Sequence, residues 1–350
     1  MKILVTGGAG FVGSHVVEYY AQKGNEVVVL DNLSRAQILG ANTKNSLYNW
    51  NYIKNNYPSV QLIKGDIRNF EEVKAASTSV NAIVHTAAQV AVTTSLIDPI
   101  LDFEINAFGT FNVLEAARLN DAAVVFCSTN KVYGENVNKI PVKEEGTRYI
   151  FADKKYRNGI PETFSIDMCG HSPYGSSKLA ADIYMQDYAD SYKLKTGVFR
   201  MSCIYGERQF GVEDQGWVAW FVIAAISDRA ITIYGDGKQV RDVLYVKDLV
   251  QAFDKFLNSN ISHAVLNMGG GSENTLSLLE LLVNLRDQIG KDIQTNFAGW
   301  RTADQKVYVS DISKAKKLLN WAPEEDPKRG IERLVKWVNK NSKLFSFEGA

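Results

Sequence analysis

A glycine-rich turn near the start of the chain constrains the fold more than any other feature. The apolar run Lys2–Thr6 leads into the turn Gly7–Gly13, and a helical pattern follows over Phe11–Lys23. A second apolar run, Glu26–Leu30, ends directly before Asp31. Glycines permit a tight turn and close backbone approach, and a helix N-terminus attracts the pyrophosphate of a dinucleotide. The order strand, glycine turn, helix, strand and acid therefore predicts a dinucleotide-binding unit.

Two residues at the end of the second strand bear on the choice of dinucleotide. A carboxylate at Asp31 can accept hydrogen bonds from the adenosine ribose, and it would repel a 2′-phosphate. Arg35 is the one feature nearby that would favour such a phosphate. The acid at this spacing predicts NAD rather than NADP.

The following segments alternate between strand and helix patterns. Apolar runs predict strands at 60–63, 82–85, 122–127 and 196–200, and helical patterns cover 70–77, 103–119 and 174–192. Crossovers of this length predict an α/β fold with a doubly wound parallel (Rossmann) sheet. Residues 32–58 read as a surface insertion with one short helix at most, and 135–173 as a long polar loop.

The character of the chain changes after residue 204. Short strands are expected at 231–234 and 264–268, among helices at 217–227, 246–258, 276–289, 313–319 and 330–339. We therefore expect an NAD-binding domain over 1–204 that includes the helix at 174–192, and a smaller C-terminal α/β lobe over 205–350 that closes over the nucleotide site. This expectation includes the possibility that some segments of that lobe pack on the sheet of the first domain.

Composition narrows the class of partner and the compartment. The 39 basic residues equal the 39 acidic ones, which argues against nucleic acid or an anionic membrane as the main partner. The three cysteines, Cys127, Cys169 and Cys203, are scattered, as in a reducing compartment. The chain opens on its first strand without a signal peptide, and no apolar run is long enough to span a bilayer. A cytoplasmic protein is expected.

A tyrosine and a lysine four residues apart form the second informative motif. On a helix, Tyr174 and Lys178 share one face about one turn apart. The ammonium group and a positively charged nicotinamide would lower the tyrosine pKa and favour the phenolate, a general base. Ser128 and Thr129 both supply a hydroxyl at the end of the fifth strand. These groups predict hydride transfer at a carbinol.

These motifs resemble the extended short-chain dehydrogenase/reductase superfamily. The resemblance rests on Thr6 with the glycine turn, on 132–134 and on the Tyr174 motif, and it makes Thr129 the catalytic hydroxyl. In the resembling 4,6-dehydratases an acid pair follows that threonine, but here Asn130 and Lys131 stand there. Dehydration and decarboxylation are therefore disfavoured, and epimerisation through a ketosugar remains.

A closer resemblance, spanning nearly the whole chain, is to the CDP-paratose (CDP-tyvelose) 2-epimerases within the NAD-dependent epimerase/dehydratase family. It is carried by residues 89–95, 102–106, 128–134, 171–175, 208–210, 214–217 and 237–242. The resemblance implies an isomerase that inverts C2 of a CDP-hexose with NAD as cofactor. A UDP-hexose or UDP-hexuronate 4-epimerase is the alternative enzyme, and an NAD-binding regulatory protein of the same fold is the non-enzymatic alternative.

The resemblance and the motifs together give a set of candidate site residues. The catalytic candidates are Thr129, Tyr174 and Lys178. The cofactor-binding candidates are Gly7, Gly10, Phe11, Val12, Gly13, Asp31, Asn32, Ser34, Arg35, Asp66, Ile67, Ala87, Ala88, Gln89, Asn106, Ser128, Tyr174, Lys178, Arg200 and Cys203. The substrate-binding candidates are Gln89, Asn130, Lys131, His171, Arg208, Gln209, Arg241 and Arg301. No metal site is expected, because the four histidines lack metal-ligand spacing.

Several candidates keep a structural alternative. Asp66 could cap the next helix, and His85 is expected to be a structural histidine. Arg241 and Arg301 suit a diphosphate, but either could form an ion pair, Arg301 with Asp304 for example.

Two further expectations concern two of the cysteines and the oligomeric state. Cys169 and Cys203 are expected to be small buried hydrophobes. By resemblance, a homodimer would form through the helices at 103–119 and 174–192.

Overall fold

The computed structural model describes residues 1–38, 45–301 and 304–345. Backbone contacts divide the chain into two compact units. The first unit comprises Met1–Val132, His171–Met201 and Val250–Leu266, and the second comprises Tyr133–Gly170, Ser202–Leu249 and the chain from Asn267 onward. The sequence places a single boundary at residue 204, whereas the contacts group 133–170 with the second unit and 250–266 with the first.

The elements follow each other in a largely alternating order. The strands are β1 Lys2–Thr6, β2 Glu26–Asp31, β3 Gln61–Lys64, β4 Ala82–His85, β5 Ala123–Thr129, β6 Val142–Glu145, β7 Arg148–Phe151, β8 Thr196–Met201, β9 Cys203–Tyr205, β10 Ile231–Tyr234, β11 Val240–Tyr245, β12 His263–Met268, β13 Thr275–Ser277, β14 Thr295–Ala298 and β15 Val307–Tyr308. The α-helices are α1 Phe11–Gln22, α2 Arg35–Ile38, α3 Tyr48–Asn56, α4 Phe70–Ala76, α5 Val92–Ile97, α6 Pro99–Phe103, α7 Gly109–Asn120, α8 Pro173–Tyr192, α9 Trp217–Ile226, α10 Val246–Leu257, α11 Leu278–Ile289, α12 Ser313–Leu319 and α13 Pro327–Lys340. Short 3₁₀ segments cover Asn130–Lys139, Lys154–Tyr156 and Ser342–Leu344.

A seven-stranded sheet in the order β12-β8-β5-β4-β1-β2-β3 confirms the predicted doubly wound parallel fold. Strand β1 lies inside the sheet, parallel to β2 and to β4. Its residues Ile3, Leu4 and Val5 are fully buried, as expected of a strand covered on both faces. Strand β12, from the C-terminal part of the chain, forms one edge of this sheet.

The insertion after β2 differs from its prediction. It carries two helices, α2 and α3, where one at most was expected, so that prediction is wrong. Helix α3 buries Ile53 fully and also makes polar contacts with α1. Tyr52 donates a hydrogen bond to Glu18 of α1 over 2.7 Å, and Tyr57 donates to the same carboxylate over 3.1 Å. Residues 39–44 of the predicted insertion lie outside the described residues.

The predicted long loop is also partly wrong. Within 135–173, β6 and β7 pair as an antiparallel hairpin, and Gly146 adopts a φ of 61° in the turn between them. Tyr149 of this hairpin is buried in a small apolar cluster with Val240 and Val307 of the second unit. The hairpin is polar on its outer face, which explains why the sequence resembled a loop.

The helix predicted over 103–119 is three consecutive helical segments. Asp98 caps α6 by accepting from the Leu101 N–H, a π-helical turn follows over Glu104–Phe108, and α7 continues from Gly109. A π-turn adds a residue to the helical turn, and such turns are frequent at functional sites. Here the turn carries Asn106 on its buried side.

The second unit has its own small sheets and apolar core. Strand β11 pairs with β9, β13 and β15, and β10 pairs with β14. Helix α9 is buried along most of its length and packs in one apolar cluster with α11 and α13. Five of these strands, β9, β11, β13, β14 and β15, were missed by the sequence patterns.

Candidate active site

The glycine turn of the first unit packs closely on the sheet. The Gly7 N–H donates to Leu30 O over 2.8 Å, and Gly7 has a φ of 71°. A Cβ at Gly7 would stand 2.6 Å from Ala87 N, and one at Gly13 only 2.2 Å from Gly7 O. Larger side chains are excluded at both positions, as the predicted close packing requires.

The N-terminus of α1 is open to an anion. In the described part of the chain, Gly10 caps this helix without a side-chain hydrogen bond. The first-turn N–H groups, which belong to Phe11, Val12 and Gly13, can therefore bind a phosphate group.

Asp31, at the end of β2, is hydrogen-bonded to the glycine turn. Its carboxylate accepts from the Ala9 N–H over 2.9 Å and from the Leu33 N–H over 2.8 Å. Burial raises the pKa of Asp31, while these two hydrogen bonds oppose the rise. Each oxygen keeps a further lone pair for a ribose hydroxyl.

The neighbouring cofactor candidates form a polar chain. Asn32 accepts from the Ser34 hydroxyl over 2.7 Å and donates to Asp66 over 3.0 Å. Burial raises the pKa of Asp66, but hydrogen bonds from Arg68 and Asn32 outweigh it and hold that pKa at about 2. The alternative role of Asp66 as a helix cap is wrong, because Asn69 caps α4.

Three further cofactor candidates are Ile67, Arg35 and Ala88. Ile67 is buried in the core, and its Cδ1 lies 2.6 Å from the position of a Cβ at Gly109. Burial lowers the pKa of Arg35 at the start of α2. Ala88 follows Ala87 in the irregular segment after β4.

The three catalytic candidates meet within the first unit. Thr129 ends β5, and α8 carries Tyr174 and Lys178 at its start. Ser172 caps this helix by accepting from the Gly175 N–H over 3.2 Å, and Pro173 fixes its first turn. The Thr129 side chain interacts with Tyr174 and lowers the pKa of the tyrosine.

The electrostatics of Tyr174 differ from the prediction. Burial raises its pKa to about 12, and the hydrogen bond from Thr129 only partly offsets that rise. Asp102 and Cys127 raise it further. The expectation that neighbouring Lys178 brings the pKa below its usual value of about 10 is therefore wrong for the protein alone. Desolvation of the phenolate dominates.

Lys178 is buried and 2% exposed. Burial lowers its pKa to about 8, and Cys127 and the carboxylates of Asp102 and Asp182 oppose the decrease. Its Nζ lies 4.1 Å from the centroid of the Phe126 ring, a cation–π contact. The lysine therefore titrates close to neutrality.

Ser128 and Arg200, both predicted to bind cofactor, instead meet a buried acid. Asp182 accepts from the Ser128 hydroxyl over 2.7 Å and from Arg200 Nε and Nη2 over 2.9 and 3.0 Å. All three residues are buried. The structure thus assigns these two side chains to an ion-pair cluster between β5, β8 and α8. Asp182 was missed, although its position four residues after Lys178 was a usable signal.

Gln89 and Asn106 form a second buried cluster around Asp102. Asp102 accepts from Gln89 Nε2 over 2.7 Å, from Asn106 Nδ2 over 3.1 Å and from the Ser177 hydroxyl. The Gln89 oxygen accepts from the Ala91 N–H, and the residue is 2% exposed. The amide of Gln89 is therefore used within the fold, and its contact with substrate stays a prediction.

Three substrate candidates lie next to Thr129. Thr129 donates to Asn130 Oδ1 over 3.3 Å and accepts from the Lys131 N–H over 3.2 Å. The ring Nδ1 of His171 is 3.4 Å from Lys131 O. The structure therefore brings Asn130, Lys131 and His171 together beside the catalytic threonine.

Of the five candidates in the second unit, two are arginines that form ion pairs. Arg241 binds Asp304 over 2.6 Å, and Arg301 binds Asp214 over 3.0 Å and stacks 3.9 Å from the Tyr234 centroid. The suggested pairing of Arg301 with Asp304 is wrong, because Arg241 occupies Asp304.

The other candidates of the second unit lie after β8. Cys203 accepts from the Trp217 indole over 3.2 Å, and Gln209 donates to Ile204 O over 3.2 Å. Arg208 is buried with a φ of 63°, a left-handed conformation that is uncommon outside glycine.

His85 is the structural histidine that was expected. Its Nδ1 bonds the Thr6 hydroxyl over 2.6 Å, and its Nε2 bonds the Thr110 hydroxyl over 3.0 Å. Burial lowers its pKa to about 3, so the ring is neutral. Within the described ranges, no cluster of three or more His, Cys, Asp or Glu side chains could hold a metal ion. No helix there is both long and apolar enough to cross a membrane.

The geometry of the first unit fits a bound dinucleotide. The glycine turn leaves no room for side chains, the N-terminus of α1 is open, and Asp31 presents a carboxylate at the end of β2. The residues of this unit would therefore hold NAD along the carboxyl ends of the strands, where Tyr174 and Thr129 also lie.

Comparisons with known proteins agree with this geometry. The model of the NAD dependent epimerase/dehydratase family matches residues 3–269. The CDP-paratose 2-epimerase of Salmonella typhi is 40% identical over 97% of this chain and 99% of its own length. Two solved structures are also similar. The UDP-glucose 4-epimerase of Thermotoga maritima with UDP-glucose is 29% identical, with a TM-score of 0.80 over 98% of this chain and 100% of that one. The enzyme of that name from Thermus thermophilus, in complex with NAD, is 32% identical, with a TM-score of 0.77 over 97% and 99%.

Proposed function

Since the chain belongs to the NAD-dependent epimerase/dehydratase family, we propose that it inverts one carbinol carbon of a nucleotide-diphosphate sugar. The cofactor is NAD, and the enzyme class is isomerase. The observation that carries the proposal is the placement of Thr129 at the end of β5 against α8, the helix that carries Tyr174 and, one turn further along, Lys178. A binding protein has no chemical need for this arrangement.

The roles of the three residues follow from their chemistry. Tyr174 takes the proton of the sugar hydroxyl, Thr129 holds the sugar oxygen, and Lys178 favours the phenolate and can bind the cofactor ribose. Bound NAD would supply the hydride acceptor for the carbinol carbon and the donor for the return step, and its positive charge would lower the cost of forming the phenolate. Tyr174 gives its proton back when the ketosugar is reduced on its other face. Each cycle therefore consumes no oxidant.

Residues after Thr129 support epimerisation over water elimination. Asn130 and Lys131 are an amide and an ammonium, and Asn130 is buried against the threonine hydroxyl. Elimination of water needs an acid and a base beside the sugar, and this pair supplies no carboxyl group.

The proposed substrate is a CDP-hexose inverted at C2. Support comes from the Salmonella typhi relative named CDP-paratose 2-epimerase, which aligns with this chain over nearly the full length of both proteins. A UDP-hexose or UDP-hexuronate 4-epimerase is the second candidate, favoured by the Thermotoga maritima structure with UDP-glucose.

The test is a substrate panel followed by NMR in heavy water. Purified protein is incubated with CDP-, UDP- and GDP-hexoses, and the configuration of each product is assigned. Inversion at C2 of a CDP-hexose is expected. Turnover of UDP-hexoses at C4 alone would replace this proposal with the second candidate.

The isotope content of the product tests the mechanism. The hydrogen removed as hydride returns to the same carbon and does not exchange with water. The product is therefore expected to carry no solvent deuterium at the inverted carbon. Full deuterium incorporation there would indicate deprotonation next to a carbonyl, and Tyr174 would then not act as described.

The same proposal includes a cytoplasmic homodimer. Apolar side chains are exposed along the helices at 103–119 and 174–192, including Phe103, Phe108, Ile183 and Tyr184. Paired helices of two copies would cover them. Light scattering of the wild type and of Ile183→Glu should give a dimer and a monomer. The free cysteines support location of the protein in a reducing compartment. Cell fractionation would test this location.

A further inference from the structure

Lys178 is a buried cation in need of a counter-charge. A buried ammonium is costly unless an opposite charge compensates it. The titratable or charged groups around it come from five elements, namely His85 on β4, Asp102 on α6, Cys127 on β5, Tyr174 and Asp182 on α8, and Arg200 on β8. Of these, the carboxylates are the groups that can balance a lysine at neutral pH.

One of the two carboxylates is already balanced. Asp182 binds Arg200 through two parallel hydrogen bonds, from Nε and Nη2. This bidentate geometry pairs one negative with one positive charge. The cluster around Asp182 is therefore close to neutral as a unit.

The other carboxylate is surrounded by neutral donors. Asp102 is 1% exposed and accepts from two amides and one hydroxyl, those of Gln89, Asn106 and Ser177. These groups satisfy its oxygens but leave its charge uncompensated. Ser177, which binds Asp102, directly precedes Lys178 on α8.

We propose that Asp102 is the counter-ion of Lys178 and hence a positioning residue of the active site. Asp102 acts through Lys178 and keeps the lysine protonated near neutral pH. The amides of Gln89 and Asn106 hold the carboxylate toward α8, which gives the π-helical turn after α6 a function. The catalytic meaning of this pair rests on the proposed function, but the pair itself can be tested without any substrate.

The first test compares the pH dependence of stability of the wild type and Asp102→Asn. The change nearly conserves shape, and the Ser177 hydroxyl can rotate to accept from the new amide. Burial lowers the pKa of Lys178 to about 8. Loss of an opposite charge should lower it by about one further unit or more.

The direction in which stability changes with pH follows from proton linkage. A folded-state lysine pKa below the unfolded value means that the unfolded chain binds more protons, so stability rises with pH across that window. In Asp102→Asn the rise begins at lower pH. We therefore expect the melting temperature of the variant to increase relative to the wild type between pH 7 and 9. Parallel profiles would overturn the proposal.

A double-mutant comparison assigns the effect to the lysine. In a Lys178→Met background, adding Asp102→Asn should produce no such drift between pH 7 and 9. A drift that persists without the lysine contradicts the pairing. The matched control is Ser177→Ala, which removes the hydroxyl that binds Asp102 but keeps the carboxylate. It should lower stability equally at all these pH values.

A reciprocal measurement covers the case in which Asp102→Asn does not fold. Burial already raises the pKa of Asp102. Without the cation, Lys178→Met should raise it further, so stability should fall more steeply from pH 4 to pH 7 than in the wild type. An unchanged slope would show that the two charges are independent. Cofactor content is measured for every variant by absorbance of the nucleotide released on heating.

The last measurement, the pH profile of kcat/KM, requires substrate. If the proposed function is correct, the alkaline limb of kcat/KM moves to lower pH in Asp102→Asn. A stability shift without turnover of any nucleotide sugar would support the ion pair and reject the function. Turnover without a stability shift would support the function and reject the ion pair.

Discussion

Ser128 donates its hydroxyl hydrogen bond to Asp182 over 2.7 Å and thereby ties the end of β5 to α8. The neighbour of Ser128 is Thr129, and the residue one turn before Asp182 is Lys178. This bond therefore fixes the distance between the strand and the helix that carry the catalytic groups.

Asp182→Ala is expected to be strongly destabilising. It leaves Arg200 buried without its counter-ion, and loss of one partner of a buried pair costs about 3–5 kcal/mol. Chemical denaturation gives the free energy of unfolding. The matched control is Glu26→Ala, which breaks an exposed pair with Lys2 and should cost less than about 1 kcal/mol. Equal losses for both variants would contradict the importance of the buried pair.

Tyr174→Phe should separate cofactor binding from catalysis. The change removes the hydroxyl that acts as general base, so kcat should fall by about 10²–10⁴-fold. Bound NAD, measured by absorbance after heating, should be near the wild-type amount. Tyr184→Phe on the exposed side of the same helix is the control and should keep full activity. Wild-type turnover in the Tyr174 variant would exclude it as the base.

Thr129→Val should shift the pH profile of the reaction to the alkaline side. Burial raises the pKa of Tyr174 to about 12, and the hydrogen bond from Thr129 opposes that rise. Without the bond the phenolate forms only at higher pH. A hydrogen bond worth about 0.5–1.5 kcal/mol corresponds to about 0.4–1 pH unit. The acid limb of kcat/KM should move upward by this amount, whereas Thr129→Ser should keep the wild-type profile. A limb that stays in place would mean that another group titrates.

Gly13→Ala should impair cofactor binding. The new Cβ would stand 2.2 Å from Gly7 O and 2.7 Å from the Thr86 hydroxyl, so the helix must move away from the turn. The cofactor content of the purified protein should fall clearly. Gly299→Ala is the control, because its Cβ meets no atom within 4 Å. Equal cofactor content in both variants would show that the turn tolerates a side chain.

The parts that sequence reasoning predicted correctly have strong local patterns. The glycine turn with its two strands, and the pair Tyr174 and Lys178 at helical spacing, depend on residues that are close in sequence. Short segments such as β9 and β15 were missed because two or three residues carry no periodicity. Their strand conformation comes from pairing with β11.

Long-range charge pairs were the other source of error. Asp102 and Asp182 each lie in a helical pattern where an acid usually faces water, but the fold buries both. The partner of Arg241 was likewise unpredictable, because Asp304 is 63 residues away. Burial itself explains the pKa of Tyr174, and burial is a property of the whole fold rather than of the motif.

Helix α8 carries Tyr174, Lys178 and Asp182 at intervals of four residues. Each residue of an α-helix turns the chain by about 100°, so the three side chains share one face only in this phase. One residue inserted between Tyr174 and Asp182 would point the base and its anchor in different directions, while the same insertion after the helix would spare them. Changes of chain length are therefore forbidden over these two turns, although substitutions on the opposite face are not. The active site therefore depends on the number of residues between these three side chains as much as on their types.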